Sequence, residues 1–270
     1  MLYWVLMPET NKKVDSNLST AGSETLLQHE EKEASSAQQE QTFPFGIDIV
    51  DMVKAGVHFG QHVSLTHPRM KPYIFGVRNS IQIIDLEKTA EKLIQALYFI
   101  YDLVKEGKII LFVGTKPEIR EIVQNTAQEC QMPFIVERWL GGMFTNFPVI
   151  VKRIAYLKEL EKKKEAGEWE KYTKKERMNF EEELAELQIK FGGIRDLERL
   201  PDAVFVCDMV KDGRAIVEAR MKNISSIAIC DTNSDPSLVT YPIPASDNVI
   251  SSVKYILDKV KEVIIQARSS

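Results

Sequence analysis

From residue 43 onward, apolar positions recur at two alternating periods, and that alternation predicts the elements. Ile74 to Ile84 reads as two short strands around "GVRNS", with Asn79 and Ser80 at the turn. Asp85 suits a helix cap. After it, Leu86, Ala90, Leu93, Leu97, Tyr101 and Val104 recur at steps of three and four, and Gly107 ends the run. "IILFV", bounded by Gly107 and Gly114, predicts a strand buried on both faces. Pro117 fits a first helical turn, followed by Glu118 and Glu121, which favour a helix N-terminus. "PFIVE", "AVFVCD" and "SIAICD" supply further strands, with "GRAIVEARMK" helical between the last two. A closing helix is expected from about Asp247, with Val249, Val253, Ile256, Val260 and Ile264 on one face. Short buried strands alternating with helices imply right-handed crossovers and a parallel sheet covered on both sides, a three-layer α/β domain.

Between Val149 and Phe191 the alternation stops. Ile150, Ile154 and Leu157 form one narrow apolar seam, and Phe180, Leu184, Leu187 and Phe191 form another. Thr173 to Glu176 fits a capping box that opens the second segment. Two such seams with charged flanks predict an antiparallel helical hairpin projecting from the sheet. Its 11 bases and 10 acids over residues 151–191 read as a solvated surface, in which Lys162, Lys163 and Lys164 could also touch phosphate.

Composition adds a boundary. Residues 8–42 are rich in Ser, Thr, Gln, Glu and Asn, too poor in large apolar groups to offset the entropy of ordering, so a disordered acidic extension over 1–42 is expected. That extension holds seven acids and three bases, which leaves 32 of each in the remaining residues. A neutral body argues against a free-standing, salt-driven nucleic-acid binder, though not against basic patches used within a larger assembly. The opening "MLYWVLM" lacks the flanks of a signal peptide, and no apolar stretch approaches the roughly 20 residues of a membrane helix. Cys130, Cys207 and Cys230 have no paired spacing, so they read as small buried hydrophobes.

The familiar catalytic patterns are missing. "VGTKPE" lacks the first glycine and the Ser/Thr of a Walker loop, and no glycine fingerprint follows a strand, so no cofactor is expected. "DTNSD" begins like a calcium loop, but Pro236 and Pro242 stand where glycine and glutamate are required. His58, His62 and His67 have the spacing of a possible metal cluster. Gly56, Gly60 and Pro68 break any common helix there, which favours loop histidines that hydrogen-bond or stack.

What remains is a set of loops: "HPRMKPYIFGVRN", "VGTK", "ERWLGGMFTNF" and "FGGIRD". Arg, Lys, aromatic rings and Asn between turn glycines can hold structured RNA through phosphates, bases and 2′-hydroxyls. They can equally be core aromatics with charges left on the surface. On the first reading, the residues facing RNA are His62, Arg69, Lys71, Arg78, Asn79, Lys116, Arg138, Trp139, Asn146, Lys152 and Arg195.

"AGVHFG", "RMKPYIFGVRNSIQIIDLEKT", "LFVGTK", "RWLGGMFTNF", "FGGIRDLERLPDAVFVCD" and "CDTNSDPSLVTYPIPASDN" occur in that order over roughly residues 45–265. Together they closely resemble the bacterial and organellar type of small-subunit ribosomal protein 2. The resemblance implies a three-layer, Rossmann-like (flavodoxin-like) parallel α/β fold with an inserted antiparallel coiled-coil helical hairpin. The expected organisation is then an extension over 1–42, an α/β domain of residues 43–150 and 192–270, and the hairpin at 151–191. It also implies a structural, non-enzymatic role in the ribosome, in the cytoplasm or an organelle interior. The partners implied are small-subunit rRNA and other small-subunit proteins, including ribosomal protein 1 in bacteria, with no membrane. The competing reading is a nucleotide-binding enzyme or sensor on a doubly-wound sheet. This chain departs from the family pattern at Gln61, where a histidine usually follows the glycine of "HFG".

Overall fold

The computed structural model describes residues 44–269, so the extension expected over 1–42 lies outside the described residues. In chain order the strands are β1 (Phe59–His62), β2 (Ile74–Arg78), β3 (Ile81–Ile84), β4 (Ile110–Val113), β5 (Phe134–Ile135), β6 (Ala203–Val206), β7 (Ser225–Cys230) and β8 (Tyr241–Pro244). The helices are α1 (Ile49–Lys54), α2 (Leu86–Lys105), α3 (Arg120–Glu129), α4 (Phe147–Glu165), α5 (Lys174–Phe191), α6 (Gly213–Met221) and α7 (Ile250–Ser269).

Five strands form one parallel sheet in the order β5-β4-β6-β7-β8. Counted from β4, that is the 2-1-3-4-5 order of flavodoxin-like sheets, with its reversal of direction between β4 and β6. Successive side chains point to opposite faces, and two cores result. Ile110, Phe112, Phe205, Ile227 and Ile229 pack with α2, α3 and α7, whereas Leu111, Val113, Val204, Val206 and Ala228 pack with α4, α5 and α6. Helices therefore cover both faces of the sheet.

A second sheet of order β1-β3-β2 is antiparallel. Its two-residue turn places Asn79 at φ 50° and Ser80 at φ 62°, the left-handed pair that matches the twist of a tight hairpin. Asp85 caps α2 by accepting from the Glu87 and Lys88 amides, and Gly107 closes the segment at φ 70°.

The structure shifts several expected boundaries. Residues 117–119 form a turn, and α3 starts only at Arg120, because the first α-type bond is Val123 N to Ile119 O. The closing helix starts at Ile250, since Asp247 is drawn into a buried ion cluster. "PFIVE" contributes only two strand residues. β1 pairs through an irregular register, and β8 contains Pro242 and Pro244, which its edge position tolerates; neither carries a clean alternating pattern.

α4 and α5 pack on each other, with Ile150, Ile154, Leu157 and Leu160 buried on the first and Leu184, Leu187 and Phe191 on the second. The Thr173 capping box opens α5. No helix among the described residues is long and apolar enough to cross a membrane.

Candidate nucleic-acid interface

In an open α/β sheet, ligands bind outside the carboxyl ends of the strands where the order reverses. Here that place lies past Val113 and Val206, and the chain's own side chains fill it. Lys116 Nζ sits 3.3 Å from Asp208 Oδ2 and 3.4 Å from Asp247 Oδ1, and donates to Asn248 Oδ1 at 2.5 Å. Beside it, buried Asp212 accepts from the Thr115 amide at 3.1 Å and the Thr115 hydroxyl at 2.7 Å. Asp231 accepts from Gln61 Nε2 at 2.7 Å, which ties β1 to the end of β7.

Burial, together with the neighbouring Asp231 and Asp208, pushes the Asp247 carboxyl up to about 7. Burial works against the Lys116 ammonium, but Asp247 and Asp208 outweigh it and hold its pKa above the ordinary lysine value. The cluster is an internal strut joining the ends of β4, β6 and β8.

The glycine segment after β5 has a different solution. Arg138 to Phe147 wraps around one carboxylate, that of Glu218 on α6. Glu218 accepts five hydrogen bonds: Trp139 Nε1 at 3.0 Å, the amides of Gly142, Phe144 and Thr145 at 2.9, 3.0 and 3.2 Å, and the Thr145 hydroxyl at 3.1 Å. Gly142 adopts φ 87°, open to glycine at little cost, and its amide is one of the donors. Burial pushes the Glu218 pKa up, but the Trp139, Gly142, Phe144 and Thr145 bonds prevail and hold it below the usual glutamate value. The segment is thus an anion nest. Its anion is part of the chain.

These contacts decide which candidate residues face outward. Trp139 is 6% exposed, packs edge-on to Phe144 at 5.1 Å and donates its one N–H to Glu218. It supports the loop rather than offering a ring for stacking. Lys116 is likewise committed inward. Arg69 pairs with Asp235 at 2.6 Å, and Arg195 with Glu161 at 2.8 Å, though both remain exposed. His62 is exposed, with Nδ1 against the Ser64 hydroxyl at 2.8 Å; His67 Nδ1 accepts from the Arg69 amide. His58 lies against Phe59 with the rings tilted by 38° and their centroids 4.0 Å apart, and burial lowers its pKa. Among the described residues the side chains of Lys71, Arg78, Asn79, Arg138 and Lys152 are exposed and make no ion pair or hydrogen bond. Asn146 is exposed at the start of α4 and makes no capping bond there.

A comparison with known families matches residues 52–267 to the model described as Ribosomal protein S2. The chain belongs to the ribosomal protein S2 family. Among curated S2 relatives, "Small ribosomal subunit protein uS2" of Thermus thermophilus is 45% identical over 225 residues, covering 83% of this chain and 88% of the relative. The protein of the same name from Dehalococcoides mccartyi is 42% identical over 223 residues, covering 83% of this chain and 91% of the relative.

In this S2-family chain the residues that sequence reasoning missed are acids: Asp208, Asp212, Glu218, Asp231 and Asp247. "GRAIVEARMK" marks Glu218 only as one polar position on a helix. Its partners lie 73 to 79 residues earlier, and nothing local announces them. The Asp capping pattern "DMVKDG" did offer a signal for Asp208, which accepts from the amides of Val210 and Lys211.

Proposed function

We infer that this chain is a structural, non-enzymatic constituent of the small ribosomal subunit, acting in translation in the cytoplasm and associating there with small-subunit rRNA and other ribosomal proteins. The observation that carries this is family membership over residues 52–267. The filled crevice at the sheet's reversal agrees with it, because the place a doubly-wound enzyme keeps for substrate is here an internal ion network.

Within that role, residues 43–150 and 192–270 act as the α/β body and residues 151–191 as an inserted antiparallel coiled-coil hairpin. Two narrow buried seams and the capping box at the second helix support this reading. Lys71, Arg78, Asn79, Arg138, Asn146 and Lys152 are the RNA-facing groups, with His62, Arg69 and Arg195 beside them. Their support is exposure together with cationic or hydrogen-bonding chemistry suited to phosphate and 2′-hydroxyl. In bacteria the resemblance adds ribosomal protein 1 as a neighbour.

The test is sedimentation of the tagged full chain from growing cells. Recovery with small subunits through a moderate-salt wash is expected, and recovery only in free fractions overturns the role. Replacing Arg138 and Lys152 together by alanine should flatten the dependence of log affinity on log salt by roughly two, at about 0.9 per phosphate contact. An unchanged slope removes this strip from the interface.

A further inference from the structure

We propose that the outer face of α6, with the recess beside its C-terminal end, is a second contact surface for RNA backbone, separate from the strip around Arg138 and Lys152. The proposal rests on the ribosomal role above and deepens it. Its starting point is a mismatch between sequence and surface. Residues 209–224, "MVKDGRAIVEARMKNI", carry four bases and two acids and look half-balanced. The fold removes both acids. Asp212 is buried on Thr115, and Glu218 is surrounded by the glycine loop. Lys211 turns its ammonium to the Thr115 carbonyl at 3.1 Å, so what faces outward is Arg214, Arg220 and Lys222, without an opposing carboxylate from this segment.

The helical period sets the layout. Ala215, Ile216 and Ala219 form the buried side. Arg214, Val217 and Met221 form the outward stripe, with Val217 51% and Met221 68% exposed. Glu218 lies on one flank and binds the loop, so the glycine segment sits directly beside α6. Arg220 lies on the other flank, at a recess of about 360 Å³ that Asn223, Ser225, Ser226 and Thr240 also line. Arg214 and Arg220 are about 9 Å apart along the axis at 1.5 Å per residue. Among the described residues neither side chain has an ion-pair or hydrogen-bond partner.

The recess is built to donate. The Ser226 amide donates to Thr240 Oγ1 at 3.3 Å, and the Thr240 amide donates to Ser226 Oγ at 3.2 Å. Each hydroxyl oxygen thereby accepts a backbone proton and keeps its own proton to give. Hydroxyl donors that line the same recess as an arginine suit phosphate oxygens, for which arginine's planar fork is the preferred partner. Asp235, the nearby acid on the Ser237 side, is already neutralised by Arg69. An acidic protein partner would instead seek apolar pockets for its anchor residues. Val217 and Met221 stand on an open helix face, where sugar edges can lie.

The test uses the full chain and small subunits lacking this protein. Arg214→Ala with Arg220→Ala should reduce the slope of log affinity against log salt by roughly two, as expected for two lost phosphate contacts, while the melting temperature stays unchanged. Ultraviolet cross-linking of the wild-type complex should leave nucleotide adducts on peptides from residues 214–226. If the wild-type chain rebinds and the double variant matches it in affinity and slope, the α6 surface is not an RNA contact, and the ribosomal role stands. Cross-links from residues 214–226 to a protein instead of RNA overturn the proposal in the same way. If the wild-type chain fails to rebind, the ribosomal role itself falls.

Discussion

The ion cluster around Lys116 and the nest around Glu218 both hold carboxylates away from bulk water, yet they shift their acids in opposite directions. At Lys116, several carboxylates crowd one ammonium, and Asp247 is driven up to about 7 by burial and by Asp231 and Asp208. At Glu218, one carboxylate receives five hydrogen bonds, and its pKa falls although burial opposes this. Burial acts the same way in both places. What differs is the ratio of donors to charges, and that ratio decides whether a buried acid is a strain or a fastening.

The largest expected effect tests the fastening. Glu218→Ala leaves the Trp139 indole N–H and three loop amides without their acceptor, at a cost of about 2 kcal/mol from unsatisfied donors. For a chain of this size that lowers the melting temperature by roughly 6 °C. It should also raise protease sensitivity around Gly141 and Gly142. Glu218→Gln, which keeps one acceptor oxygen, should lose less. A melting temperature unchanged in both variants would mean that the loop holds itself.

A smaller effect of opposite sign tests the strain. Asp247 stays protonated in the fold at pH values where the unfolded chain has already released its proton, so its contribution to stability declines as pH rises from 3.8 towards about 7. Asp247→Asn should therefore melt higher than wild type at pH 8, by about 3 °C for a gain of about 1 kcal/mol. The difference should shrink at pH 5. A variant that is less stable at pH 8 would show that the Lys116 pairing outweighs the crowding.

The contrast also marks where sequence reading succeeds. The Asn79 and Ser80 turn, the Asp85 cap, the period of α2 and the Thr173 capping box were legible because each depends on residues a few positions apart. β1 and β8 were not legible, since an irregular register and two prolines hide the alternation. The loops bearing Arg138 and Arg78 could be read as candidate surface from composition alone. The inward turn of Trp139 and Lys116 could not, because Glu218 and Asp247 lie 79 and 131 residues away from them. The glycine pair at Gly141 and Gly142 carries no phosphate-loop fingerprint, and nothing near it in the sequence announces an anion. Only the fold shows that the anion is internal.

The most direct measurement is a side-chain carboxyl titration of Glu218 and Asp247 by nuclear magnetic resonance on the intact chain. The account predicts that Glu218 titrates below the usual 4.5 and Asp247 near 7. Two ordinary values, or the reverse order, would contradict it.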